Sequence, residues 1–204
     1  MTTSTNRAQK GRARYTASRQ AGRAPLEFYP TPPEATRALL SIETFDGPIW
    51  EPACGDGAIA TELTKAGYQV TATDLVDRGY GEGGYDFLKS EKPLAKHIIT
   101  NPPYGTHGLG DAFVRRALIH VRQTGGSVAM LLNLRSLANP DRHKKFIKTP
   151  PAAIYFLDEL TCWPEGKPTS KSARIARQQY YWAVWKPGHT GAPQCWWLST
   201  RDFR

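Results

Sequence analysis

Short apolar runs alternate with segments of helical period from about residue 31 to residue 147. This alternation restricts the chain to a mostly parallel sheet with helices on both faces. The candidate strands are residues 48–53, 68–74, 97–100 and 127–133, with a further short strand at 85–88 after the glycine-rich stretch 79–84. Between them lie helical patterns. Thr31 and Glu34 have the spacing of a capping box, with Pro32 at the first helical position, and Ala35, Ala38, Leu39 and Ile42 then recur on one face. Residues 57–66 present Ile59, Leu63 and Ala66 on one side and stop at Gly67. Residues 111–122 direct Phe113, Val114, Ala117, Leu118 and Val121 inward, and residues 136–147 form a helix that Pro140 interrupts or restarts. The last two strands, 152–157 and 179–185, have no helical pattern between them, so they pair as an antiparallel hairpin.

Charge is unevenly distributed. The chain of 204 residues carries a formal net charge of +9. Residues 1–24 hold Arg7, Lys10, Arg12, Arg14, Arg19 and Arg23, no acid and no hydrophobic period, which reads as a disordered basic arm before a domain spanning 25–204. A basic arm on a mildly basic body suggests a polyanionic partner, most often nucleic acid; a solubilising tail has the same composition. No apolar run approaches the ~20 residues of a membrane span, and the first residues hold no apolar signal-peptide core. Cys54, Cys162 and Cys195 are odd in number and widely spaced, so neither a disulfide framework nor a metal site is expected, and a cytoplasmic setting is the simplest reading.

Glu51-Pro52-Ala53-Cys54-Gly55-Asp56-Gly57 falls between a strand and a helix. Glycines there let the backbone turn sharply and leave no Cβ to obstruct a ligand, while the helix aims its free N–H groups into the space. Asp74 ends the next strand, where nucleotide-binding folds place the acid that bonds ribose hydroxyls. The GxGxxG of a dinucleotide site is incomplete. Glu51 and Asp56 disfavour phosphate and suit a ligand carrying an ammonium group, and S-adenosylmethionine combines an ammonium, a sulfonium and a ribose. Asp86 and Phe87 could meet an adenine ring, although Phe87 reads equally well as core.

A second corner, Asn101-Pro102-Pro103-Tyr104, follows the 97–100 strand. Two prolines stiffen it and remove two backbone donors, so it presents carbonyl acceptors, to which Asn101 adds an amide oxygen. Such a corner grips an –NH₂ group by both hydrogens. An exocyclic base amine needs that grip because its lone pair is delocalised into the ring. Hydrogen bonds to Asn101 Oδ1 and the Pro102 carbonyl favour a pyramidal nitrogen and stabilise the charge that grows on it. Tyr104 is expected to stack on the base, worth ~1–3 kcal/mol.

With these two motifs the chain resembles the class I S-adenosylmethionine-dependent methyltransferases, specifically the DNA N6-adenine type. Glu51–Gly57 looks like the family's cofactor motif, Asn101–Tyr104 like its catalytic motif, and Phe28-Tyr29-Pro30-Thr31-Pro32-Pro33 is similar to its N-terminal segment over the methionine part of the cofactor. The resemblance implies a Rossmann-like, seven-stranded, mostly parallel sheet with a reversed C-terminal hairpin. It implies cofactor contacts from Tyr29, Pro30, Thr31, Glu51, Ala53, Cys54, Gly55, Asp56, Gly57, Asp74, Leu75, Asp86, Phe87 and Asn101, and a target amine held by Asn101, Pro102, Pro103 and Tyr104. The substrate implied is adenine N6 in DNA; RNA adenine and a protein glutamine amide are close rivals, and a non-catalytic nucleic-acid-binding module is a rival of another class. No metal is implied, and the small build resembles methyltransferases of bacteriophages or mobile elements.

One departure stands out: the chain has no room for a separate target-recognition domain. The connection 158–178, with Lys167, Lys171, Arg174 and Arg177, is the candidate substitute for nucleic-acid contact, a mobile solvated loop being its plain alternative. Arg142, His143, Lys144 and Lys145 read as a solvated helix face, and Trp196 and Trp197 as core or a packed tail.

Overall fold

The computed structural model describes residues 28–104, 108–137, 140–163, 166 and 179–204. The 1–24 arm lies outside them, as do Lys167, Lys171, Arg174 and Arg177. In chain order the elements are α1 (Pro33–Leu40), β1 (Ile49–Glu51), α2 (Ala58–Lys65), β2 (Val70–Ala72), β3 (His97–Thr100), α3 (Leu109–Thr124), β4 (Val128–Asn133), α4 (Pro140–Lys148), β5 (Ala153–Leu157), β6 (Tyr180–Trp185) and β7 (Gln194–Leu198). They build a seven-stranded sheet in the order β2-β1-β3-β4-β6-β5-β7.

The first four strands of this order are parallel, with Ile49 opposite Val70 on one side and His97 on the other. β6 enters antiparallel between β4 and β5. Its run Tyr-Tyr-Trp-Ala-Val-Trp is buried throughout, as a central strand covered on both faces requires. Successive strand residues alternate between two cores. Ile49, Ile99, Leu131 and Trp182 face α1 and α2. Trp50, Ile98, Met130 and Tyr181 face α3. The Trp182 indole also donates 2.9 Å to the Ala35 carbonyl, tying α1 to the sheet.

Three expectations are corrected. Residues 85–88 form no strand: Asp86 Oδ1 accepts from the Leu88 N–H, at 3.1 Å, and caps a 3-10 turn over Phe87–Lys89. The seventh strand is β7, which pairs parallel to β5 at the open edge and carries Trp196 and Trp197 exposed at 61% and 73%. They are therefore not core: the C-terminal segment packs as an edge strand, with Trp197 5.3 Å from the Phe156 ring. Thr31 does not cap α1; Pro32 takes the cap position with no side-chain bond, Pro33 is the first helical residue, and Ile42 lies beyond the helix end, 43% exposed. Within α3 the inward face includes His120, fully buried, which apolar periodicity does not reveal.

From β1 the chain crosses to β2 on one side, then returns to place β3 on the other. The carboxyl ends of β1 and β3 thus flank the point where strand order reverses, the position where open α/β sheets bind ligands. Glu51 ends β1 and Asn101 follows β3.

Candidate active site

The turn after β1 is shaped by two glycines in the left-handed region, Gly55 at φ 57° and Gly57 at φ 84°. A Cβ at Gly55 would lie 2.7 Å from the Phe28 ring, and one at Gly57 would strike the Tyr80 ring, so side chains from outside the turn already occupy those approaches. The Asp74 carboxylate pins the turn. Oδ2 accepts from the Gly55 N–H at 2.8 Å and Oδ1 from the Val76 N–H at 2.9 Å. Asp74 thereby joins the ends of β1 and β2 and keeps lone pairs for a further donor.

Glu51 is 1% exposed, and its Oε2 has no hydrogen-bond partner. Burial pushes the carboxyl well above the ordinary glutamate range. A backbone hydrogen bond from Ala60, in the first turn of α2, opposes that shift, and the charges of Asp74 and Asp56 add to it. In such a setting the carboxyl favours its neutral form, and a neighbouring positive charge would favour the carboxylate. The neighbouring Cys54 thiol is pushed up to about 12 by burial and then by Glu51 and Asp74, so it is an inert packing group.

Asn101 is held at both ends of its amide. Nδ2 donates to Thr31 Oγ1 at 3.0 Å and to the Tyr29 carbonyl at 3.4 Å. The Tyr104 hydroxyl lies 2.6 Å from Asn101 Oδ1 and 3.0 Å from the Leu131 carbonyl of β4, two acceptors that share its one proton. The Tyr104 ring leans on Tyr180, 6.2 Å between centroids. In this arrangement the hydroxyl of Tyr104 anchors Asn101 to the sheet, and the residue also lines the cavity.

One cavity collects these groups. Tyr29, Pro30, Thr31, Glu51, Ala53, Cys54, Gly55 and Asp56 line it with Asp74, Leu75, Asp86, Phe87 and Asn101–Tyr104. Gly57 does not, being covered by Tyr80. Leu75 is 62% exposed at its rim. The Phe87 side chain is core, edge-on to Trp50 at 5.0 Å and tilted against Phe113 at 5.0 Å. Ser90 Oγ donates to the Phe87 carbonyl at 2.6 Å and meets His120 Nε2 at 2.7 Å, bracing the turn from below. Sequence reasoning missed Ala58, Ile59, Arg78, Tyr85, Leu88, Leu109 and Phe113 as lining residues. The i, i+4 pair Leu109 and Phe113 at the start of α3, just past the proline corner, was the available signal. The Arg78 guanidinium lies 4.3 Å over the Phe28 ring. With Phe28 against Gly55, this pair crowds the cavity to about 140 Å³. That is small beside the ~300–1,000 Å³ of typical ligand pockets.

The second basic cluster is placed in part: Lys145 forms an ion pair with Asp111, joining α4 to α3, and Lys144 is exposed. Among the described residues no group of three or more His, Cys, Asp or Glu is placed to hold a metal ion, and no helix is long and apolar enough to cross a membrane.

No family model and no curated protein matches the chain by sequence. Solved structures do resemble it. A candidate RNA methyltransferase from Pyrococcus horikoshii has TM-score 0.58 and 15% identity, over 85% of this chain and 96% of that one. The modification subunit of a candidate type I restriction enzyme from Vibrio vulnificus has TM-score 0.55 and 13% identity over 95% of this chain; the present chain spans about half of that subunit, 50%. A protein solved in a study of disulfide-to-thioacetal conversion during echinomycin biosynthesis has TM-score 0.53 and 16% identity, covering 78% and 82%. The fold is the Rossmann-like methyltransferase fold. On this methyltransferase fold the crevice at the strand-order reversal is where Glu51, Asp74 and Asn101 converge.

Proposed function

We propose that this chain is an S-adenosylmethionine-dependent N-methyltransferase whose acceptor is the N6 amine of adenine in DNA. One observation carries the reading: the acid-rich glycine turn and the proline-stiffened amide corner line the same cavity. The residues present fit the cofactor. Glu51 Oε2, buried and unpartnered, suits an ammonium, and Asp74 retains acceptor capacity for ribose hydroxyls. Asp86 also lines the cavity, as an acceptor for an adenine, and Phe28 and Arg78 must swing outward to admit a molecule of that size.

When bound, S-adenosylmethionine supplies a methyl group on a sulfonium, so that the new N–C bond forms as the C–S bond breaks and the electron pair stays on sulfur. Asn101 Oδ1 and the Pro102 carbonyl accept the two hydrogens of the target amine. They hold its nitrogen out of conjugation and stabilise its positive charge until a proton leaves to water. Tyr104 keeps Asn101 Oδ1 in place from the β4 side. A duplex adenine must be flipped into this cavity, which costs a few kcal/mol of unstacking. The basic arm supports the choice of nucleic acid, as do the descriptions of two similar structures as a restriction-enzyme modification subunit and an RNA methyltransferase.

Incubation with methyl-labelled cofactor and separate DNA, RNA and release-factor substrates tests the reading, followed by nucleoside analysis. N6-methyladenine in DNA is expected; label confined to protein overturns it, and label confined to RNA moves the activity to that substrate. Deleting residues 1–24 is expected to weaken DNA binding and to flatten its salt dependence by ~0.9 log unit for each phosphate that the arm neutralises. An unaltered salt slope removes the arm from the interface.

A further inference from the structure

The Asn101 amide has two faces of similar shape and opposite chemistry, and only one orientation suits the proposed reaction. With Oδ1 toward the target amine it accepts a hydrogen; rotated by half a turn it presents Nδ2, a donor that repels an –NH₂ group. The surroundings decide between them. Thr31 and Tyr104 both carry hydroxyls, and a hydroxyl can donate or accept, so neither alone selects an orientation. The Tyr29 carbonyl, 3.4 Å from the amide, can only accept and therefore requires Nδ2 beside it. That contact is long, whereas the contact with Thr31 Oγ1 is 3.0 Å and lies in a setting where Thr31 is 5% exposed. Thr31 thus strengthens the orientation that the Tyr29 backbone selects. This also accounts for a capping-type residue that does not cap α1.

We propose that Thr31 is a positioning residue for the acceptor amine: its hydroxyl, with the Tyr29 carbonyl, locks the Asn101 amide so that Oδ1 faces the reacting nitrogen. The segment that resembles a cofactor strap therefore also sets the polarity of the catalytic corner. The inference rests on the proposed methyl transfer and deepens it.

The experiment has two readouts on the full-length chain with Thr31→Val, Thr31→Ala and Thr31→Ser. The first is the solvent exchange of the Asn101 side-chain amide protons by ¹H–¹⁵N NMR, assigned by their loss in Asn101→Asp. Exchange should quicken ~10-fold in the Val and Ala variants and return to the parent rate in Ser. The second pairs cofactor Kd with the single-turnover methylation rate at saturating cofactor. The rate should fall ~3–10-fold in Val and Ala with Kd within about twofold, and recover in Ser. Unchanged amide exchange overturns the lock whatever the activity. Altered exchange with an unchanged saturated rate overturns the positioning role, and a raised Kd with an intact saturated rate makes Thr31 a cofactor contact instead. A parent protein that shows the lock but methylates nothing overturns the functional reading and leaves the lock standing.

Discussion

Asn101→Ala is expected to reduce the single-turnover methylation rate by about 10²–10³-fold, the loss typical when one preorganised hydrogen-bonding group is removed from a developing charge. Cofactor affinity, measured by calorimetry, should change little. The reason is geometric. Asn101 spends Nδ2 on Thr31 and Tyr29 and shares Oδ1 with Tyr104, so the bonds that its amide makes within the protein are internal bracing. In the proposed reaction the remaining capacity of Oδ1 serves the acceptor amine. A parallel loss of cofactor binding would mean that Asn101 holds the turn together, and an unaltered rate would remove it from the reaction.

Glu51→Gln is expected to weaken cofactor binding by more than about a hundredfold, because removing one partner of a buried charge pair costs ~3–5 kcal/mol. The same substitution should stabilise the protein without cofactor. Burial raises the Glu51 carboxyl well above the ordinary glutamate range. A group whose pKa is raised on folding stabilises fully below its unfolded value, and that contribution is lost as pH rises through the folded value. Parent stability should therefore decline over this interval, while Glu51→Gln, which cannot ionise, should not. Melting temperatures at about pH 5 and about pH 8 check this: the two proteins should be close at the lower pH, with the variant higher at the upper. Parent affinity for the cofactor should strengthen over the same interval, as the carboxylate needed by an ammonium becomes populated. A variant that binds normally with a flat pH dependence would overturn the assignment of Glu51.

What the sequence disclosed and what it concealed follow from how local each feature is. The glycine turn and the proline corner are short segments whose residue types force a backbone shape, and both lie where strands end, so position and chemistry were legible together. Asp74 was legible by its spacing, but its two backbone bonds to Gly55 and Val76 were not, since they join segments 19 residues apart and a neighbouring turn. β7 was concealed because its pairing partner β5 is some 40 positions away, Ala153 lying opposite Gln194, and five residues at an edge show no burial alternation. Residues 85–88 misled because aromatic and aliphatic side chains suit a strand, while the Asp86 carboxylate offered the backbone a tighter turn. The bonding of the Tyr104 hydroxyl was concealed for a related reason. A tyrosine beside a base-binding corner has two ends, and only the position of Leu131 on the adjacent strand shows where the hydroxyl goes.

β1 and β3 are hydrogen-bonded neighbours, Ile49 beside His97 and Trp50 beside Ile98. The interval between the glycine turn and the proline corner, the donor and acceptor sides of the proposed reaction, is therefore written into main-chain amides at the ~4.8 Å spacing of a sheet, not into any replaceable side chain. Changes confined to the loops around the cavity would leave that reach between the two partners of the proposed reaction unaltered.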